Sequence, residues 1–126
     1  MRLLLDTNIV IRLRQDERHI DRKIRRTIEN AAEVYVSSAS IWEIAMKASA
    51  RKLDIDIGGL EAGLREAGIK PLPLTWAHAC RAYDIAGAHA DPFDRLLLAQ
   101  AVCEPLHLLT SDHQLAQYSP ELVITI

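Results

Sequence analysis

Residues 2–8 read Arg2-Leu3-Leu4-Leu5-Asp6-Thr7-Asn8. The leucine run is a short apolar stretch, best read as a buried strand. It stops at three residues that cap and turn. The same grammar recurs further along the chain. Ile20, Ile24 and Ile28 come every four residues, one face of a helix. Val34-Tyr35-Val36 is a β-rich run closed by Ser37-Ser38, and Ile41, Ile44, Ala45 and Ala48 give the next helix its apolar side. Strands that alternate with helices predict a mostly parallel sheet with helices on both faces.

The middle of the chain is less regular. Leu53-Asp54-Ile55-Asp56-Ile57 alternates like an exposed strand or an extended loop, Gly58-Gly59 breaks it, and Leu60, Leu64 and Ala67 predict a short helix. Pro71 and Pro73 put any strand in residues 69–74 at an edge or make it irregular. Thr75 reads as the N-cap of a helix carrying Ala79, Ala82, Tyr83 and Ala86. Asp91-Pro92 opens another, with Phe93, Leu96, Leu97 and Ala101 at helical spacing and Pro105 as its stop. His107–Thr110 reads as a strand, Asp112–Tyr118 as a short helix and Leu122–Ile126 as a last strand. No repeat or linker divides the chain, so residues 1–126 are expected to form a single domain.

Composition sets the bounds. Hydrophobic residues make up 49% and aromatics 5%, so a core is built from Leu, Ile, Val and Ala without disulfides. Cys80 and Cys103 stand alone and read as buried free thiols of a reducing compartment. No stretch is long enough to span a membrane. The apolar N-terminus is interrupted by Asp6 and Asn8 and lacks a signal-peptide cleavage site, so a cytoplasmic location is expected. The net charge of −2 excludes a simple basic nucleic-acid binder. Basic residues cluster between Arg12 and Arg26, which suits either a phosphate-facing patch or a solvated helix face.

Four acids fall where parallel sheets bind ligands, beyond the C-terminal ends of strands. Asp6 ends the first strand, Glu43 and Asp94 lie in the first turns of two helices, and Asp112 follows Leu108-Leu109-Thr110. Each also has a structural reading. Ser40-Ile41-Trp42-Glu43 fits a capping box, Asp91-Pro92-Phe93-Asp94 an Asp N-cap with Pro at the first helical position, and Asp112 a cap of the last helix. Asp6 has the least to cap. Together the four point to a cation, because two carboxylates about 4 Å apart repel by roughly 4 kcal/mol at an effective dielectric of 20. All-oxygen donors suit Mg²⁺ or Mn²⁺, which lower the pKa of a bound water and shield a phosphodiester. With those four acids set aside, the rest of the chain carries a net +2, suited to a polyanion.

Leu3-Leu4-Leu5-Asp6-Thr7-Asn8, Ser40-Ile41-Trp42-Glu43-Ile44 and residues 91–101, Asp91-Pro92-Phe93-Asp94-Arg95 through Ala99-Gln100-Ala101, resemble the PIN-domain family, more narrowly its VapC-type toxins. The resemblance covers essentially the whole chain. It implies an α/β three-layer sandwich, and a metal-dependent endoribonuclease that leaves 5′-phosphate and 3′-hydroxyl ends. It also implies a homodimer silenced by a small antitoxin. Carried over by motif, Asp6, Glu43 and Asp94 are core metal ligands, with Asp112 the fourth acid. The family often has an aromatic residue where this chain has Leu115. Thr7, Asn8 and Thr110 either orient ligands or form turns. Asp91 reads as an N-cap or an accessory ligand, Arg95 as an ion-pair partner of Asp91 or a phosphate contact, and His89 as a polar surface residue or a general acid. Trp42 and Trp76 are expected in the core or a dimer contact.

Two other enzyme classes open with a strand ending in Asp. A haloacid-dehalogenase phosphatase needs a second acid two residues on, where this chain has Asn8. A receiver domain needs paired acids after the first strand and a Lys near the last, and has neither here. The remaining alternative is a catalytically idle module of the same fold, binding RNA or a protein partner.

Overall fold

In the computed structural model, which describes residues 1–15, 22–85 and 91–126, the leucine run is the central strand. β1 (Arg2–Leu5) lies between β2 (Glu33–Ser37) and β4 (His107–Thr110), with β3 (Lys70–Leu72) and β5 (Val123–Thr125) at the edges. All four pairings are parallel, in the order β3-β2-β1-β4-β5. Leu4 stands opposite both Tyr35 and Leu108, which fixes the register at the centre.

Around the sheet lie α1 (Thr7–Gln15), α2 (Arg22–Asn30), α3 (Ser38–Ser49), α4 (Ile57–Glu66), α5 (Trp76–Arg81), α6 (Pro92–Cys103) and α7 (His113–Ala116). A 3₁₀ turn, Ala82–Ile85, follows α5. Leu3 and Leu5 pack with Ile9, Val10, Ile24, Ile44, Leu60 and Leu64 on one side. Leu4 packs with Ile85, Leu97, Leu98, Leu106 and Leu115 on the other. Two apolar layers explain why β1 has no polar alternation: each leucine is fully buried, stabilising the fold by about 1.5–3 kcal/mol. Leu115, where the family often has an aromatic residue, is itself fully buried in the second layer.

The chain runs outward from β1 to β2 and β3, then crosses back to lay β4 on the other side of β1. The direction of winding therefore reverses between β1 and β4, and the crevice beyond their C-terminal ends is where such a sheet binds ligands.

Several elements differ from the sequence reading. Thr7–Gln15 is a helix, not a turn; Ile9 and Val10 at its inner face are fully buried. Residues 53–56 take the loop alternative and form no strand, while Gly58-Gly59 lie in the first turn of α4 rather than breaking the chain before it. A Cβ on Gly59 would meet Asp56 Oδ2 at 2.8 Å, so glycine leaves room for the residue that precedes the helix. β3 is an edge strand, with Pro71 opposite Val36, as two prolines require. Tyr83 falls in the 3₁₀ turn beyond α5 and is exposed. Cys80 and Cys103 are exposed free thiols, not buried ones, because they lie on outward faces of α5 and α6. Trp42 and Trp76 are 57% and 92% exposed, so neither belongs to the core. Ile20, Ala86, His89 and the charged residues of 16–21 lie outside the described residues. Among the described residues no helix is long and apolar enough to cross a membrane.

Candidate active site

Asp6 joins β1 to α1. Its backbone N–H donates to the Leu109 carbonyl at 2.9 Å, continuing the β1–β4 ladder, and its carbonyl accepts from Ile9 and Val10, starting the helix. The residue is 3% exposed. An N-capping Asp usually accepts from an N–H two or three residues on. Here Oδ1 accepts from the adjacent Thr7 N–H at 2.7 Å, and Oδ2 from the Thr110 hydroxyl at 2.6 Å. Thr110 ends β4, so this bond spans the crevice where the sheet's winding reverses.

Burial pushes the Asp6 carboxyl above its ordinary value; the Thr110 hydroxyl and Thr7 N–H pull it back, and the charges of Glu43 and Asp112 raise it further. That coupling shows that three of the four sequence-predicted acids share one electrostatic neighbourhood.

Glu43 does not close a capping box. α3 begins at Ser38 with Ser37 as N-cap, whose hydroxyl accepts from Ala39 N–H at 3.0 Å, so Glu43 lies in the second turn. Its carboxylate pairs with Lys47 at 2.9 Å, one turn on. Ser40, freed from capping, is buried and accepts a hydrogen bond from the Thr7 hydroxyl at 2.9 Å. Sequence spacing does not single out Ser40 for this contact or Lys47 as Glu43's partner, although Lys47 stands at the i+4 position where a Glu–Lys pair forms.

Asp112 caps α7, accepting from Gln114 N–H at 2.9 Å, while its own N–H donates to the Thr110 hydroxyl at 3.0 Å. Thr110 thus binds the Asp6 carboxylate and fixes the start of the Asp112 turn. Asp91 is the N-cap of α6, accepting from Phe93 N–H at 2.8 Å and Asp94 N–H at 3.4 Å. Asp94 stands in the first turn of α6 and is half-buried. Arg95 neither pairs with Asp91 nor faces open solvent: it donates to the Ala82 carbonyl at 2.9 Å and holds the 3₁₀ turn against α6. Asn8 is exposed. Arg12, Arg14, Arg22, Lys23, Arg25 and Arg26 are exposed on α1 and α2.

The residues fit a hard divalent cation. Asp6 is an almost inaccessible carboxylate whose acceptor oxygens each receive one donor and on which the charges of Glu43 and Asp112 both act. Among the described residues no three His, Cys, Asp or Glu side chains form a ready cage. The donor chemistry that fits is the carboxylate oxygen of Asp6: Mg²⁺ commonly binds through one or two carboxylates and keeps several waters.

The chain matches the family model described as PIN domain over residues 3–119. No curated protein matches it. Among solved structures it is similar to VapBC2 from Rickettsia felis bound to a DNA fragment from its promoter: 14% identity, 99% of this chain and 98% of that one, TM-score 0.74. A toxin–antitoxin complex from Klebsiella pneumoniae is similar at 19% identity, with 98% and 96% of the two chains covered and a TM-score of 0.72. FitAcB from Neisseria gonorrhoeae is similar at 19% identity, 98% and 96% coverage, and a TM-score of 0.67.

Proposed function

The chain belongs to the PIN-domain family, and on that footing we propose that it is a metal-dependent endoribonuclease, the toxin of a toxin–antitoxin pair. The observation that carries the reading is the buried Asp6 carboxylate, held by Thr7 and Thr110 and facing the charges of Glu43 and Asp112. A buried carboxylate beside two other acids is stabilised by a bound cation.

In this reading Asp6 and Asp94 hold Mg²⁺ or Mn²⁺, with Glu43 and Asp112 completing the shell directly or through waters. When bound, such an ion supplies an activated water and shields the phosphodiester's charge. The chain's own part is orientation. Thr110 and the Thr7 N–H fix both oxygens of Asp6, so the ligand does not have to reorganise. Asp91 aligns the first turn of α6 and with it Asp94. The exposed basic residues of α1 and α2 supply positive charge for an RNA backbone.

An antitoxin partner and a homodimer belong to the same proposal. A solved structure of the same fold is a toxin–antitoxin complex, and exposed Leu74, Trp76 and Tyr83 offer apolar contact. A cytoplasmic site of action goes with an RNA substrate.

The Glu43–Lys47 ion pair favours a second reading, an idle module of the same fold, because an internal cation already engages one of the acids. Cleavage of total bacterial RNA by purified, antitoxin-free protein, with Mn²⁺, Mg²⁺ or chelator, separates the two. Metal-dependent cuts bearing 5′-phosphates, absent in Asp94→Asn, support the nuclease. Intact RNA from protein that binds no Mn²⁺ leaves the idle module.

A further inference from the structure

We infer that Thr7 and Ser40 are positioning residues: their buried hydroxyl pair sets the separation of Asp6 and Glu43, and through it the affinity of the pocket for a divalent cation. The inference rests on the metal-dependent reading of this site.

Thr7 is the residue after Asp6, and its N–H already holds Asp6 Oδ1. Its side chain turns to α3, where Oγ1 donates to Ser40 Oγ at 2.9 Å. Thr7 is 4% and Ser40 1% exposed, so water does not compete for the bond. Ser40 precedes Glu43 by three residues, which places both on one face of α3. A shift of α3 along or away from α1 would therefore move Glu43 relative to Asp6 and stretch the Thr7–Ser40 bond at once.

The pair is also the end of a longer belt. From Ser40 it runs through Thr7 to Asp6, then through the Thr110 hydroxyl to the N–H of Asp112. Residues from α3, α1, the β1–α1 junction, β4 and the N-cap of α7 are joined in one hydrogen-bonded line, and three of its stations are acids or the residue one turn before an acid. A small apolar pair would fill the same space between α1 and α3 at little cost. Two hydroxyls there supply direction, which packing alone does not.

The test is calorimetric titration of Mn²⁺ into the full chain as wild type, Thr7→Val, Ser40→Ala, the double variant and Thr7→Ser, with metal-free melting measured alongside. Each single loss of a hydroxyl is expected to weaken Mn²⁺ about 10-fold or more. The double variant should be no weaker than the worse single one, because both remove the same bond. Thr7→Ser should bind like wild type. Unchanged Mn²⁺ affinity in Thr7→Val and Ser40→Ala, with only the melting temperature lowered, overturns the inference and leaves the pair a fold contact. Losses that simply add overturn it too. Wild-type protein that takes up no Mn²⁺ overturns the metal reading itself, and this inference with it.

Discussion

Trp42 of α3 and Phe93 of α6 meet with their ring centroids 5.6 Å apart and their planes inclined at 34°. Each directly precedes an acid, Glu43 and Asp94. The two aromatic residues therefore brace α3 and α6, the helices that carry these acids, which are far apart in the sequence and packed against each other. The contact lies partly in solvent, with Trp42 57% exposed, so its value is more in alignment than in buried area.

Trp42→Ala should accordingly cost the fold about 0.5–1.5 kcal/mol for the lost ring pair. It should reduce metal-dependent RNA cleavage by a larger factor than that loss of stability explains, while Trp42→Phe keeps most of both. Denaturant unfolding and cleavage rates measured on the same preparations check this. Equal rates in Trp42→Ala and wild type would show that the helices hold their spacing without it.

Asp6→Asn should stabilise the metal-free protein at neutral pH. The folded-state pKa of Asp6 is raised, chiefly by burial, so the stability tied to its neutral form is complete below the unfolded value and is lost as pH rises through the folded one. Asparagine never ionises, and it can still accept from the Thr7 N–H and bond the Thr110 oxygen. The melting advantage of the variant should therefore shrink as the pH falls toward the ordinary range of a carboxylate. Mn²⁺ should reverse the order, since a ligand at a hundredfold excess over its Kd adds about 2.7 kcal/mol to wild type alone. Melting curves across pH, with and without Mn²⁺, read both signs.

Lys47→Ala removes the ammonium that competes for Glu43 at 2.9 Å. The expected result is several-fold tighter Mn²⁺ binding with little change in folding, because a partly exposed i,i+4 pair on a helix contributes only about 0.3–0.5 kcal/mol. Weaker Mn²⁺ binding in titration calorimetry would instead make Lys47 a support for Glu43.

His78 supplies a control away from the acids. It is buried, its Nδ1 accepts from Thr75 N–H at 3.1 Å to complete a capping box, and its Nε2 contacts Glu104 at 2.6 Å. Glu104 caps the far end of α6, roughly 15 Å of helix from Asp94. His78→Leu leaves the Thr75 N–H and the Glu104 carboxylate without that partner, which should cost about 1–3 kcal/mol. Mn²⁺ affinity, measured below the variant's melting range, should not move.

Features that depend on near neighbours were readable from the order of amino acids. The strand Arg2–Leu5 and its end at Asp6 were legible because three successive leucines leave no polar face. Thr75, Asp91 and Asp112 were legible as caps because a cap reaches only two or three residues along its own chain. The edge position of β3 came from Pro71 within it and Pro73 just beyond, which lack the N–H a central strand must donate. Other features exist only through long-range packing. α1 is a helix because Ile9 and Val10 are buried against the sheet, which outweighs the turn-forming Asp6-Thr7-Asn8 before it. Three serines, Ser37, Ser38 and Ser40, compete to start α3, and the end of β2 decides for Ser37, moving Glu43 out of the first turn. The partners of Asp6 and Thr7, Thr110 and Ser40, lie 104 and 33 residues away, and no periodicity encodes a contact that exists only once β1 has β4 on one side and α3 over its end.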